Sequence, residues 1–575
     1  MRKLFRFLKP YKWQALIVVV LTTVQTLSQL YLPTLMADIV NKGVVGQDIA
    51  LIIQTGLIML GFTLIVTVST IVGRLFATRT AVGFARDLRR DIFAKVESYS
   101  LREFDKIGTA SLVTRSTNDV TQIQNVLVMI LSMLLAAPIM AIGGIVMALR
   151  TDAGLTWLVG AAIGVMVIVI LVIALRVLPL FKSIQKKIDR VNLVLREGLT
   201  GIRVIRAFNK NKYETKRFDG ANKDLTNTSI AAYRWMGVLM PTIMMLFSVS
   251  MVAVVWFGGL RVGAGQTNVG DLMAFQQYVM QVMFAIVMST MLFVMLPRAS
   301  ASAERVNEIL DMDISIVDKT DIIPETTCKG CVEFKDVSFS YFGAQEPAIK
   351  GISLTAKPGE VTAIIGGTGS GKSTLVKLIP RFYDVTKGQV LVDGVDVKDF
   401  PQLALRERIG YVPQKINLMS GTIAKNVRYG KEDASDEQVR EALQTAQASE
   451  FVDELLDGIE SAVAQGGTNY SGGQKQRLCI ARALVRKPEV YIFDDSFSAL
   501  DFKTDAKLRR AMKGEMKDAT VFIVAQRVST VMNAERIIVL DDGKVVGQGK
   551  HKELLKTCTT YKEIVKSQLS LEEMA

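Results

Sequence analysis

Apolar positions along this 575-residue chain follow two different patterns. Through residues 1–300 they gather into long runs with few charges, whereas from Cys328 onward they come in short stretches broken by turn residues. Six of the long runs could each cross a hydrocarbon core about 30 Å thick, which takes ~20 helical residues. They are Trp13–Ile39, Ile52–Phe76, Val126–Leu149, Leu155–Leu178, Gly237–Gly258 and Leu272–Leu296. Pro33, Pro138, Pro179 and Pro241 fall within or beside these runs, where neighbouring helices can satisfy the freed backbone groups. The pattern predicts a helical membrane domain with six spans.

The polar connections between the runs alternate in length and charge. Segments 40–51, 150–154 and 259–271 are short and hold few cations, whereas 77–125 and 179–236 are long and rich in Lys and Arg. Cytoplasmic loops carry the positive excess, so both long connections and both chain ends are expected in the cytoplasm. The first run follows Arg2, Lys3, Arg6, Lys9 and Lys12 with no cleavage pattern behind it, which reads as a retained span rather than a signal peptide. Apolar residues recur at helical spacing in Leu88, Ile92 and Val96 and again in Val191, Leu195, Leu199 and Ile202. The long connections are therefore expected to be helical extensions of the spans, turning near Leu101–Gly108 and Gly201–Phe208.

Composition supports this picture. Half the residues are apolar, mean hydropathy is +0.30 and formal net charge is +14. The basic excess is explained by membrane topology, and a nucleic-acid partner is not expected. Gln25, Gln29, Asp38, Gln54, Gln276, Gln277 and Gln281 lie in or beside the spans and are expected to face the bundle interior or a wet cavity, because polar groups in lipid are costly. The last two spans are rich in methionine, including Met240, Met244, Met245, Met251, Met273, Met280, Met283, Met288, Met291 and Met295. Such side chains suit either a surface that accepts many apolar shapes or lipid-facing filler. Cys328 and Cys331 have C-x-x-C spacing, but no second pair lies nearby and His551 is the only histidine. They read as cytosolic thiols rather than a zinc or redox site.

The second half carries the chemistry. Gly366, Gly367, Thr368, Gly369, Ser370, Gly371, Lys372, Ser373 and Thr374 fit the pattern G-x-x-x-x-G-K-[ST]. The apolar strand Val361–Ile365 precedes them and a helical run follows from Leu375. Strand, glycine loop and helix start place several backbone N–H groups around one anion. Lys372 is expected to reach the β- and γ-phosphates of a nucleoside triphosphate, and Ser373 to ligate Mg²⁺. Further on, Gln414 follows a short apolar strand, Val490–Asp494 is an apolar strand ending in an acid suited to Mg²⁺, and Ser471-Gly472-Gly473-Gln474 opens a second helix. That second start is also an anion site in principle.

Taken in order, the phosphate loop, Gln414, Ser471–Gln474, the acidic strand and Ser498-Ala499-Leu500-Asp501 resemble the motif set of ATP-binding cassette transporters. Six spans followed by one cassette is the half-transporter layout of the exporter type. The resemblance implies a helical membrane domain over 1–312, a linker over 313–330 and an α/β P-loop nucleotide-binding domain over 331–575. It further implies ATP and Mg²⁺ as cofactors, a second half-transporter as partner, a cell-membrane location, and each ATP held between one chain's phosphate loop and the other chain's signature, which here is Ser471–Gln474. Tyr341 would stack on adenine, Gln414 would sense water and Mg²⁺, Asp494 would hold the metal, and Asp501 would belong to the nucleotide interface.

Two departures from the family stand out. Where the family places a glutamate that polarises the attacking water, this chain has Asp495, shorter by one methylene or about 1.5 Å. Where the family has a histidine that touches the γ-phosphate, it has Gln526, which cannot carry charge. Gln465 also stands where exporters usually have a glutamate. These departures imply a site that binds ATP and hydrolyses it poorly, beside an intact signature able to complete a partner's site. The expectation is the degenerate-site subunit of a bacterial heterodimeric multidrug exporter, moving hydrophobic small molecules out of the cytoplasm. The alternatives are a homodimeric lipid or peptide exporter with slow ATPase, and an ATP-binding regulatory subunit.

Overall fold

The structure is a computed structural model that describes residues 2–319 and 324–568. Residues 320–323 of the expected linker lie outside the described residues, as do the side chains of Arg2 and Met291. The chain divides into two compact units, residues 1–97 with 110–311, and residues 98–109 with 312–575. Residues 98–109 fall within the sequence-based span of the membrane domain, yet they pack with the second unit.

Among the described residues, the first unit is built from six helices long and apolar enough to cross a membrane: Lys3–Val44, Ile49–Glu97, Thr109–Thr151, Thr156–Thr200, Asn211–Gly263 and Val269–Leu310. The fourth has 45 residues, about 68 Å at 1.5 Å per residue and roughly twice the apolar thickness of a bilayer. Its apolar run therefore continues without a break into the basic segment that follows. Buried residues of the sixth helix, Phe275, Tyr278, Val282 and Met283, pack with Ala148, Leu158, Met166 and Val254. At Gly144 an added Cβ would lie 2.5 Å from Val282, so a small residue is what lets these two helices approach. Outside the apolar runs, Asp119 is buried and pairs with Arg305, whose Nε donates to Oδ2 at 2.7 Å, while the Ser302 hydroxyl donates to Oδ1 at 3.0 Å. A carboxylate removed from water in this way is tolerated because both its oxygens are bonded.

The polar residues of the spans divide. Gln281 donates to the Gln29 carbonyl at 3.4 Å and Asp38 pairs with Lys42 at 2.7 Å. Gln54 and Gln277 are exposed on this chain and so do not lie in its helical core, which leaves a wet cavity as the alternative expected for them. The methionines divide as well: Met283 belongs to the helical core, while Met240, Met244 and Met245 are exposed.

The described residues of the second unit form two large sheets and a two-stranded ribbon. A four-stranded sheet runs in the order Ile349–Ala356, Val332–Phe339, Lys387–Val392 and Val395–Asp396, antiparallel throughout. A six-stranded sheet runs in the order Lys544–Gly549, Arg536–Asp541, Val361–Gly366, Thr520–Val524, Val490–Asp494 and Ile409–Val412. It is parallel except at the Lys544–Gly549 edge. Strands Val490–Asp494 and Thr520–Val524 are buried at every position, which is why they read as unbroken apolar runs rather than alternating ones. One face of this sheet packs on the antiparallel sheet through Ile364, Ile492, Val524 and Ile538, and the other on helices through Ala363, Phe493, Ile523 and Val539. Ligands of such sheets bind beyond the carboxyl ends of the parallel strands. Here those ends deliver Gly366, Asp494, Val524 and Val412 to one rim.

The segment 98–109 forms the short helix Leu101–Ile107, started by a capping box in which Ser100 and Glu103 satisfy each other's backbone N–H groups. Tyr383 Oη donates to Asp105 Oδ2 at 3.2 Å, Ser100 Oγ lies 3.0 Å from Ser315 Oγ, and the Arg102 guanidinium sits 4.8 Å from the Phe342 ring centroid. The turn in the second long connection, Ile202–Ala207, belongs to the first unit, and Leu199, Val204 and Phe208 in and beside it are exposed.

Candidate nucleotide site

The phosphate loop leaves its strand at Gly366 and enters a short helix at Lys372. Two of its glycines are required by geometry. Gly371 has φ +96°, and a Cβ there would lie 2.7 Å from the Ala348 carbonyl; a Cβ on Gly366 would lie 2.1 Å from the Leu540 carbonyl. Lys372 is buried, and its ammonium donates to the loop's own carbonyls, Gly366 O at 2.9 Å and Gly367 O at 2.7 Å. Burial lowers its pKa from the ordinary lysine value, with Asp495 and Asp494 acting in the opposite sense. The Ser370 hydroxyl is buried without a partner. An unpaired hydroxyl and an ammonium resting on backbone carbonyls are groups that phosphate oxygens would satisfy.

Ser373 donates its hydroxyl to Asp494 Oδ1 at 2.6 Å, and Tyr411 Oη donates to Asp494 Oδ2 at 3.3 Å. Burial, then the charge of Asp494, pushes the Tyr411 phenol up and keeps it a donor. Ser373, Asp494 and the Gln414 amide offer only oxygen ligands, the set that Mg²⁺ takes. Among the described residues no group of three or more His, Cys, Asp or Glu side chains could hold a metal ion. When bound, Mg²⁺ would supply charge neutralisation on the triphosphate oxygens.

Asp495 follows directly, with φ +50°, a left-handed conformation that aspartate tolerates better than most residues. Its N–H donates to Val524 O at 3.0 Å, which ties the turn to the neighbouring strand. Its Oδ2 accepts two amides, Gln526 Nε2 at 3.1 Å and Gln414 Nε2 at 3.4 Å. Burial and the adjacent Asp494 carboxylate push the Asp495 pKa up, against the lowering effects of Gln414, Lys372 and Arg527.

Lys372, Ser373, Gln414, Asp495 and Gln526 share one cavity of about 280 Å³ with Tyr341, Thr368, Gly369, Gly371 and Thr374, while Asp494 and Ser370 do not line it. Tyr341 Oη lies 3.0 Å from Thr374 Oγ1, and its ring packs edge-on against Phe339 and Tyr383. Tyr341 also lines a second cavity of about 700 Å³, with Arg102, Asp105, Ser315, Phe342 and Tyr383.

Ser471, Gly472, Gly473, Gln474 and Asp501 do not line either cavity. Ser471 caps the helix Gly472–Leu484, its Oγ accepting from Gln474 N at 3.3 Å while Gln474 Oε1 accepts from Ser471 N at 2.9 Å. Asp501 caps the helix Phe502–Glu515, accepting from Lys503 N at 3.1 Å and Thr504 N at 2.9 Å. The Thr504 bonds are the main reason its carboxyl is held below the usual range. Sequence reasoning missed Tyr411 and Tyr383. Tyr411 reaches Asp494 because Ile409–Val412 lies beside Val490–Asp494 in parallel, a pairing between distant segments with no local signal. The thiol of Cys331 is pushed up to about 11 by burial and by Cys328, which leaves little reactive thiolate at neutral pH.

Six membrane-length helices joined to a phosphate-loop cassette define a membrane-embedded nucleoside triphosphatase. Residues 15–286 match the profile of the ABC transporter transmembrane region and residues 349–498 that of ABC transporters. An uncharacterized ABC transporter ATP-binding protein of Mycobacterium tuberculosis is 44% identical over 98% of this chain and 97% of its own length. The ATP-dependent lipid A-core flippase of Chromobacterium violaceum is 30% identical over 99% of this chain and 97% of its own. A bacterial Atm1-family ABC exporter with ATP bound superposes with a TM-score of 0.77, covering 98% of this chain and 99% of that one at 23% identity. The chain belongs to the ABC transporter family as an exporter-type half-transporter, a multi-span membrane protein with an ABC ATPase domain.

Proposed function

We propose that this chain is the weakly hydrolysing subunit of a two-chain exporter, with ATP held at its own phosphate loop and its signature lent to a partner half-transporter. The observation that carries the reading is the pair at the catalytic rim: Asp495 and Gln526 bonded to each other through Gln526 Nε2 and Asp495 Oδ2. A general base must reach its water within about 3 Å. The shorter carboxylate is drawn onto two amides, and Gln526 offers no positive charge to a developing γ-phosphate anion.

Within this reading Lys372 and the loop amides hold the phosphates, and Ser373, Gln414 and Asp494 hold Mg²⁺. Tyr341 faces the base, with the Arg102–Phe342 cavity available to the base and ribose. Ser471–Gln474 and Asp501, capped within this chain, meet the partner's nucleotide. The exposed turn with Val204 and Phe208 suits a partner cassette, and both termini lie in the cytoplasm beneath the cell membrane. ATP-driven closure would pass through the cytoplasmic turns to the spans and expel an amphipathic cargo. The exposed methionines of the fifth helix favour a multidrug-type surface. The flippase relative favours a second reading in which the cargo is a lipid.

The test compares ATPase rates of the purified chain alone and of the chain co-expressed with a second half-transporter from the same source that carries Glu and His at the matching positions, both in lipid. Little activity alone and strong activity in the pair is expected. Brisk hydrolysis by the lone chain would sink the proposal and leave a homodimer with a working aspartate base.

A further inference from the structure

The last described helix, Thr559–Gln568, packs into the cassette through Tyr561 and Val565, both fully buried. The spacing 561, 565, 568 sets three residues along one helix face, of which Tyr561 and Val565 are buried and Gln568, at the end of the helix, is exposed. At the third of these positions the sequence places not an apolar residue but Gln568. Its amide meets the backbone of the segment that follows the buried strand Thr520–Val524: Oε1 accepts from Val528 N at 2.8 Å, and Nε2 donates to Gln526 O at 2.8 Å.

The first of these partners is a group the loop cannot easily pair by itself. Val528 opens the short helix Val528–Val531, so its N–H is among those without an intrahelical acceptor. Arg527 at the N-cap supplies no side-chain cap. One side chain therefore fixes the backbone on either side of Arg527 and sets where the Gln526 side chain emerges. In this structure it emerges onto Asp495.

We infer that Gln568 is a positioning residue for the nucleotide site, a bidentate latch by which the terminal helix holds the Gln526 loop in register with the terminal phosphate of ATP. The inference rests on the reading of the phosphate-loop site above. Gln568 touches no nucleotide and acts through Gln526. The terminal phosphate is what distinguishes ATP from ADP, so the latch governs discrimination between the two rather than binding as such.

The test uses the full-length chain in lipid nanodiscs and measures ATP and ADP affinities separately. Q568A is expected to weaken ATP about five- to tenfold, the scale of one or two lost hydrogen bonds, and to leave ADP unchanged. Q568E keeps an acceptor for Val528 N–H but loses the donor to the Gln526 carbonyl, so an intermediate loss is expected. In a Q526A background Q568A is expected to add nothing, because its effect passes through Gln526. Unchanged ATP affinity in Q568A, equal weakening of ATP and ADP, or full additivity with Q526A would each overturn the latch. A wild-type chain unable to bind ATP would instead overturn the phosphate-loop reading beneath it.

Discussion

Two helix starts in the cassette are rich in glycine, and they differ in who satisfies their backbone. In the phosphate loop the N-cap is Gly371, which has no side chain to cap with; the neighbouring Ser370 hydroxyl is buried unpaired, and Lys372 falls back on loop carbonyls. In the signature the N-cap is a serine: Ser471 closes a capping box with Gln474 and leaves its own helix start satisfied. A helix end with unpaired donors is a binding site as it stands, whereas one that caps itself must exchange those bonds for a ligand's. The phosphate loop is thus built to take an anion within this chain. The Ser471–Gln474 start already has its bonds made and would have to exchange them to take a ligand.

The largest expected effect bears on the phosphate-loop side. Restoring the family pair with D495E and Q526H together is expected to raise hydrolysis at this chain's own site about a hundredfold, the lower end of what a positioned general base contributes. D495E alone is expected to give a smaller rise, because Gln526 remains. Single-turnover ATP hydrolysis in nanodiscs, with the partner's site disabled, reads both. An unchanged rate in the double variant would place the deficit elsewhere.

Next in size, K372A is expected to weaken ATP binding about ten- to a hundredfold, as charge-assisted bonds to phosphate are lost. S471A is expected to leave ATP binding by the lone chain unchanged while lowering turnover of the assembled pair. It also removes a cap, at a cost of about 1 kcal/mol in cassette stability. If S471A weakened the lone chain's ATP binding, the contrast between the two helix starts would fail.

The sequence made some of this readable and hid the rest for physical reasons. The spans were legible because a bilayer demands some twenty apolar residues in a row, and the phosphate loop because its glycines answer local backbone geometry. Strand Val490–Asp494 was legible from its unbroken apolar run. What could not be read were the bonds between segments far apart in the chain. Tyr411 on Asp494 spans 83 positions, Tyr383 on Asp105 spans 278, and Gln568 on Gln526 spans 42. No periodicity carries such pairings, because they depend on sheet order and helix docking. For a related reason the side chains of Gln54 and Gln277 could not be placed from sequence: hydropathy locates a span but does not say which of its faces turns inward, and both are exposed on this chain.

The smallest expected effect concerns acid, and it separates the two helix starts by a different route. His551 Nδ1 lies 2.7 Å from Tyr561 Oη, so the imidazole helps seat the helix that carries Gln568. Burial, then the nearby Lys552 charge, lowers the His551 pKa below its ordinary value of 6.5. Between the lowered folded value and the unfolded value the unfolded chain holds more protons, so stability falls as pH falls through that window and is fully present above it. Cassette unfolding followed by hydrogen exchange is therefore expected to show looser protection of Thr559–Gln568 as pH drops below about 6.5. H551Q, which can still bond Tyr561 but does not titrate, is expected to flatten that dependence. The Ser471–Gln474 box contains no titrating side chain, so protection at Gly472–Leu484 is expected to stay level over the same range. Equal loosening of both helices in acid would mean that the whole cassette is softening, and that His551 gives the phosphate-loop side no sensitivity of its own.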